Sequence, residues 1–332
     1  MKVWTPEYYH HFRCIAGACP DSCCKEWEVD IDHTAAAFYR ILEGPLGDRL
    51  RRVMKDTDDG TIMIIEDGRC PMWREDGLCR IQAELGHDAL CQVCREFPRL
   101  RHDYGTFVEY GLELSCPEAA RLILSHSHKM IPEDTPGGEE PDYEQDVMDI
   151  LLASRQQVLA FLEETTLPPN HVLAILLLHA HGVQSWLDGG EEVRLDAQET
   201  LVLAEKYVQT CNWDLLVSFF QDLEILTTQW HTRLSAPFAD QAWHAGFLPL
   251  LKYFIGRYWL QSVADYDLIS RVKMMVSACL LIYHLGGNFI DTAQLFSKEI
   301  ENDPNNLDAL LDGAYTAPAL TDIHLLSLLL NS

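Results

Sequence analysis

The chain has 332 residues, 48% of them hydrophobic, which is enough to build a sizeable core without disulfide staples. Its 51 acidic residues outnumber 25 basic ones, and the resulting net charge of −26 repels phosphate backbones and argues against a nucleic-acid partner. The longest apolar runs, such as VLAILLL from Val172 to Leu178, are too short to span a bilayer, so no membrane partner is expected either.

The amino-terminal stretch MKVWTPEYYHHF carries no apolar signal segment, and the expected location is the cytoplasm. A reducing compartment bears directly on the cysteines, nine of whose eleven fall in the first 116 residues. Disulfide scaffolds belong to short secreted chains, whereas clustered thiols under reducing conditions point to metal ligation. The first group reads Cys14-x4-Cys19-x3-Cys23-Cys24. Next come Cys70 in CPMW, Cys79 in GLCRIQ, Cys91-x2-Cys94 in CQVCREFPR, and Cys116 in SCPEAARL. Soft thiolates suit tetrahedral zinc or an iron–sulfur cluster and disfavour magnesium or calcium; ligand type leaves iron and zinc open. One four-ligand site or two are compatible with nine cysteines. The remaining pair, Cys211 and Cys279, reads as buried small hydrophobes.

Several enzyme classes are excluded by motif. A radical S-adenosylmethionine site needs Cys-x3-Cys-x2-Cys, and after Cys19 and Cys23 the third position is Glu26. GPLGDR at Gly44–Arg49 lacks the preceding strand and the spacing of a dinucleotide or P-loop turn, and no G-x-S-x-G elbow occurs.

Residues 1–130 are expected to form a cysteine-rich metal-binding domain with short helices and little strand, TIMIIE at Thr61–Glu66 being strand-like. IPEDTPGGEEPD, in which proline and glycine forbid a continuous helix, marks a linker at 131–143. From 144 to 332 the pattern is helical, which makes the chain mainly α. VMDILLASRQQVLAFLEE repeats its apolar residues at three, four and seven. Further helices are expected at His171–Leu187, Leu195–Thr210, Trp213–Leu234, Ala239–Val263 and Asp267–Leu285. Gly287–Leu311 looks like one tetratricopeptide-type helical pair, and a single copy cannot form a peptide-binding array. Charge divides unevenly as well, with 16 basic and 22 acidic residues through Lys129 and 9 and 29 beyond it.

Taken in order, the strings FRCIAGACPDSCCKEWEVDID, GRCPMWREDGLCRIQAELG, LCQVCREFPR and ELSCPEAARLIL resemble the flagellin lysine N-methylase family, within a wider group of cysteine-rich zinc- or iron-chelating proteins. The likeness covers roughly residues 9 to 124. The family's Leu-x3-Cys-x2-Tyr-Pro-Arg motif falls on Leu90, Cys94, Phe97, Pro98 and Arg99, with phenylalanine in place of the tyrosine and Cys91 outside the pattern. The resemblance implies methyl transfer from S-adenosylmethionine to the ε-amine of flagellin lysines by a cytoplasmic protein carrying an iron–sulfur cluster, 4Fe-4S in type, with zinc as the alternative. It gives Cys14, Cys19, Cys23, Cys24, Cys70, Cys79, Cys94 and Cys116 as the ligand pool. The alternatives are a non-enzymatic chelating or electron-transfer module whose helical half binds a partner, and a related methylase acting on another lysine-bearing protein.

A lysine methylase must remove a proton from an amine, by desolvation or with a base. Candidates near the thiols are Glu28, Asp30, Asp32, Tyr104, Tyr110 and Glu118, each also readable as a solvated group or a helix cap. Arg95 and Arg99 could clamp the donor's carboxylate or simply hold the loop beside the metal. Trp27, Trp73 and Phe97 could stack on adenine or serve as core. His10 and His11 could complete a mixed site, His126 and His128 lie near the expected boundary, and His179 and His181 point to different faces of one helix.

Overall fold

The computed structural model describes residues 1–25, 29–58, 60–66, 68–239 and 241–332. The candidates Trp27 and Glu28 lie outside the described residues.

Strand is more abundant in the amino-terminal part than expected. Seven strands occur among the described residues: β1 (Lys2–Pro6), β2 (Val29–Ile31), β3 (Met54–Thr57), β4 (Gly60–Met63), β5 (Arg99–Asp103), β6 (Phe107–Leu112) and β7 (Met130–Asp134). They form a four-stranded sheet ordered β5-β6-β1-β7 and a three-stranded sheet ordered β2-β4-β3. β1 runs parallel to β6, with Val3 opposite Val108, and antiparallel to β7, with Thr5 opposite Ile131. A parallel pair needs a long crossover, and its partners are invisible to any local window. Most of these strands are only three to five residues long, too short to show a clear alternation. The residues expected as a linker thus begin with an edge strand.

Short helices fill the rest of this half: α1 (His33–Ile41), α2 (Gly44–Val53), α3 (Arg80–Leu85), α4 (Gln92–Glu96) and α5 (Pro117–Ser125). α1 starts at Asp32, whose carboxylate accepts from Ala35 N at 3.0 Å. GPLGDR opens α2, with proline in its first turn, and a Cβ at Gly47 would collide with the Leu42 carbonyl, so the α1–α2 corner requires glycine.

The carboxy-terminal half is helical: α6 (Gln145–Glu164), α7 (Pro169–Leu187), α8 (Ala197–Glu205), α9 (Trp213–Gln221), α10 (Thr228–Leu234), α11 (Phe247–Tyr258), α12 (Leu268–Leu285), α13 (Phe289–Phe296), α14 (Pro304–Thr316) and α15 (Asp322–Leu330). A π-helical turn, Ser297–Glu301, follows α13. The expected helix Trp213–Leu234 is two helices. Side chains from far along the chain take the backbone amides between them, Asn306 Oδ1 from Glu224 N and Glu299 Oε2 from Leu226 N, both at 2.9 Å, and Thr227 caps α10. Helix α12 is long and apolar enough to cross a bilayer, which the short apolar runs did not indicate, yet all 18 of its residues are buried inside the protein. It is the central core helix.

Two hydrophobic cores result. The larger joins Leu112, Leu114, Ala119 and Ile123 of the amino-terminal half to the helices beyond, including the fully buried Trp230, Trp259 and Phe254. The smaller holds Val29, Ile31, Tyr39, Leu50, Met63 and Met72, with Cys70 and Cys91 among its buried members. The cysteine loops sit where these two cores meet. Helix and strand make up 57% and 11%, so the mainly α class holds.

Candidate functional site

A cavity of about 510 Å³ opens between the two cores and is lined by Cys14, Cys19, Cys23, Cys24, Cys79, Cys94 and Cys116. Seven of the eight thiols in the expected ligand pool therefore converge from four separated stretches of chain. Cys70 and Cys91 do not line it. They lie beneath, buried in the smaller core, and Cys70 N donates to Cys24 O at 2.8 Å.

Secondary structure explains the convergence. Cys19 ends the 3-10 turn Ala16–Ala18, while Cys79, Cys91 and Cys116 stand at the N-cap positions of α3, α4 and α5. An N-cap residue faces unpaired backbone amides, which favour an anionic sulfur. Burial opposes this. It pushes the Cys116 thiol up to about 12 despite the amides of Ala119 and Glu118, and Cys70 to about 11. Cys79 and Cys19 are raised for the same first reason. The adjacent pair behaves differently. A hydrogen bond from Cys24 lowers Cys23 to about 7, so it is substantially thiolate at neutral pH, and Cys24, holding the shared proton, is raised. Cys94 likewise lowers Cys91 and is raised in return. The groups feel one another: Cys24 senses Cys79 and, beneath the wall, Cys70, and Cys116 senses Cys19 and Cys23.

All eleven cysteines are free thiols. The donor set, soft sulfur and no oxygen-rich cradle, fits a thiolate-bound zinc or iron–sulfur group in its chemistry. Among the described residues no three His, Cys, Asp or Glu side chains stand in an arrangement that would hold a metal ion, so the expectation of a formed metal-binding group is not met by position. Cys279 is fully buried in α12 and Cys211 is half-buried, both away from the cavity.

The remaining candidates separate. Arg99 lines the cavity with its guanidinium 5.3 Å from the Phe12 ring, and Phe97 and Pro98 line it too, joined by a cis peptide. Arg95 is off the wall, its guanidinium at 3.5 Å from Leu90 O. Trp73 stacks under Arg69 at 4.2 Å, outside the cavity. Asp30 and Asp32 line a different, open groove, and Asp32 is engaged by Ala35 N and by Gln92 N at 2.8 Å. Tyr104 stacks on Phe107, Tyr110 meets Tyr9, and Glu118 forms a two-point pair with Arg121 at 2.8 and 2.7 Å. His10 contacts Thr5, His11 packs edge-on against His126, and His128 bonds Ile123 O at 2.7 Å. His181 pairs with Asp322, whereas His179 is buried in the helical core. None of these carboxylates, tyrosines or histidines lines the thiol cavity.

Among the polar lining residues missed by sequence reasoning are Arg13, Asp21, Gln82 and His87. Adjacency to Cys14 could have flagged Arg13, and position between Cys19 and Cys23 could have flagged Asp21. His87 follows Gly86, whose φ of 89° turns the chain back after α3, and no local signal marks that return.

No family profile matches the chain, and no solved structure matches it. Among curated proteins, the flagellar biosynthetic protein FliU of Salmonella muenchen is 33% identical over 143 residues, which is 39% of this chain and 81% of FliU. The lysine-N-methylases of Salmonella choleraesuis and Salmonella typhimurium are 33% and 32% identical over the same length, again 39% of this chain but 34% of theirs. The chain thus spans about a third of the length of those two enzymes. With four fifths of FliU matched at a third identity, the chain belongs to the family of FliU and the lysine-N-methylases.

Proposed function

We propose that this protein is a lysine N-methylase that transfers a methyl group from S-adenosylmethionine to the ε-amine of lysines on flagellin, in the cytoplasm, and that its thiol cavity holds an iron–sulfur cluster. The observation that carries the reading is the gathering of seven thiols on one cavity wall in a member of this family. The ligands would come from Cys14, Cys19, Cys23, Cys24, Cys70, Cys79, Cys94 and Cys116, with Cys23 the readiest thiolate. Bound S-adenosylmethionine supplies an electrophilic methyl group.

The chain's own residues have three tasks. Arg99, on the wall, is placed to hold a carboxylate, and Arg95 in turn steadies the α4 loop through Leu90. The lysine amine, ordinarily near pKa ~10.4, must be neutral to attack; a cavity partly screened from water favours that form. His87, the one imidazole among the described lining residues, would receive the proton. An acidic chain also steers a lysine-bearing protein toward itself, which suits this substrate and suits neither nucleic acid nor an anionic membrane surface.

Anaerobic purification followed by a visible spectrum and assays of iron, acid-labile sulfide and zinc on one sample tests the cofactor. Incubation with methyl-labelled S-adenosylmethionine and flagellin tests the transfer. Matched iron and sulfide with label on flagellin lysines is the expected result. A colourless zinc protein that labels nothing would overturn the reading in favour of a metal-chelating module.

A further inference from the structure

We propose that Lys298 and Gln294 are positioning residues for the thiol cavity, and that α13 with its π turn sets the separation between the Cys19–Cys24 loop and Cys116. Both thiol-bearing segments are tied to this one element of the helical half. Lys298 Nζ donates to both carboxylate oxygens of Asp21 at 3.0 Å, and Asp21 lies two residues from Cys19 and from Cys23. The Gln294 amide bridges the two segments with a single nitrogen, donating to Asp21 Oδ2 at 3.1 Å and to Ser115 O at 2.7 Å. Ser115 directly precedes Cys116, and its hydroxyl accepts from Asn302 Nδ2 at 2.9 Å. The π turn also supplies Glu301, which accepts from the hydroxyls of Tyr253 and Tyr258 at 3.0 and 2.8 Å, and Tyr253 Oη accepts from Leu114 N at 3.4 Å.

Among the described residues the other hydrogen bonds of the Cys19–Cys24 loop are Cys19 N to Ala16 O, Cys19 Sγ to Asp21 O, Cys24 N to Ser22 Oγ and, from outside it, Cys70 N to Cys24 O. By contrast the Lys298 side chain is only 4% exposed and that of Asp21 28%. A lysine so enclosed needs its counter-charge, and a fixed counter-charge in turn fixes the backbone that carries it. π turns inside helices concentrate at functional positions, and here the widened turn and the residue after it place Lys298 and Asn302 against the two thiol-bearing segments at once, while Glu301 ties the turn to α11. The inference holds whether or not a metal is bound, and so stands apart from the methylase reading.

Residue-resolved alkylation by iodoacetamide, followed by mass spectrometry on the full chain as purified, tests it. Asp21→Asn and Lys298→Met are each expected to speed alkylation of the half-buried Cys19 and the buried Cys116 by about fivefold or more through local opening, with Cys279 unchanged. Asp21→Glu keeps the ion pair and is expected to stay within about twofold of the parent. Asp21→Asn, at the accessible end of the pair, decides the matter by itself if Lys298→Met does not accumulate. Unchanged rates at Cys19 and Cys116 in Asp21→Asn would overturn the proposal. So would a rise at Cys279 in step with them, which would mean general loosening.

Discussion

His179 offers a clean pH experiment. It sits on α7 in the large core, 4% exposed, and its Nε2 has no hydrogen-bond partner among the described residues. Burial alone depresses its pKa from 6.5 to about 4. The folded ring therefore stays neutral while the unfolded ring protonates as pH falls through about 6.5, so the unfolded state binds more protons between the two values and stability drops on acidification. Stability is full above about 6.5 and is progressively lost down to about 4. From pH 8 to pH 5 the loss from this one ring is about 2 kcal/mol. His179→Leu removes the titration and the orphaned nitrogen together. Urea unfolding of parent and variant at pH 8 and pH 5 isolates the effect, because every other titrating group cancels in the double difference. The variant should gain about 2 kcal/mol on the parent at pH 5 relative to pH 8. An equal variant-minus-parent difference at both pH values would refute the reasoning. His102 and His128, also held down to about 4 by burial, act in the same direction in the parent.

Three other outcomes are expected. On the proposed cluster-bearing reading, Cys94→Ala should lower metal content and loosen the amino-terminal half more than the helical half, whereas Cys279→Ala should leave metal content unchanged; metal analysis with hydrogen exchange reads both. Arg155 and Glu109 form a two-point pair at 2.8 and 2.6 Å between α6 and β6, with side chains 13% and 7% exposed. Arg155→Met strands a buried carboxylate and should cost about 3–5 kcal/mol, while adding Glu109→Leu should restore part of it; an additive double variant in urea titrations would argue against coupling. Asp32→Ala removes the α1 cap and the bond from Gln92 N, at about 1–2 kcal/mol. Those amide bonds hold the Asp32 pKa below its ordinary value, so its contribution is present above about pH 4 and lost below; a variant equal to the parent at pH 7 by thermal unfolding would contradict the assignment.

Local physics was enough for part of this architecture. The apolar spacing of α6 appears in the chain itself because a helix closes its hydrogen bonds within four residues and shows its buried face at a fixed period. The cysteine groups were equally legible, since thiols crowded into a third of a long chain have few other uses. What the sequence could not state was placement. The β1–β6 pairing joins residues about a hundred apart, Asp21 meets Lys298 across 277 positions, and α9 ends where distant side chains take its neighbours' amides. Such contacts depend on two cores packing together, which no local window encodes. Which thiols share a wall, which arginine faces them, and that His87 and Asp21 join them were decided by that packing. Arg95 and Arg99, four residues apart in one motif, show the division most clearly: one steadies a loop and one faces the cavity, and only the turn of the chain at Phe97 and Pro98 separates their roles.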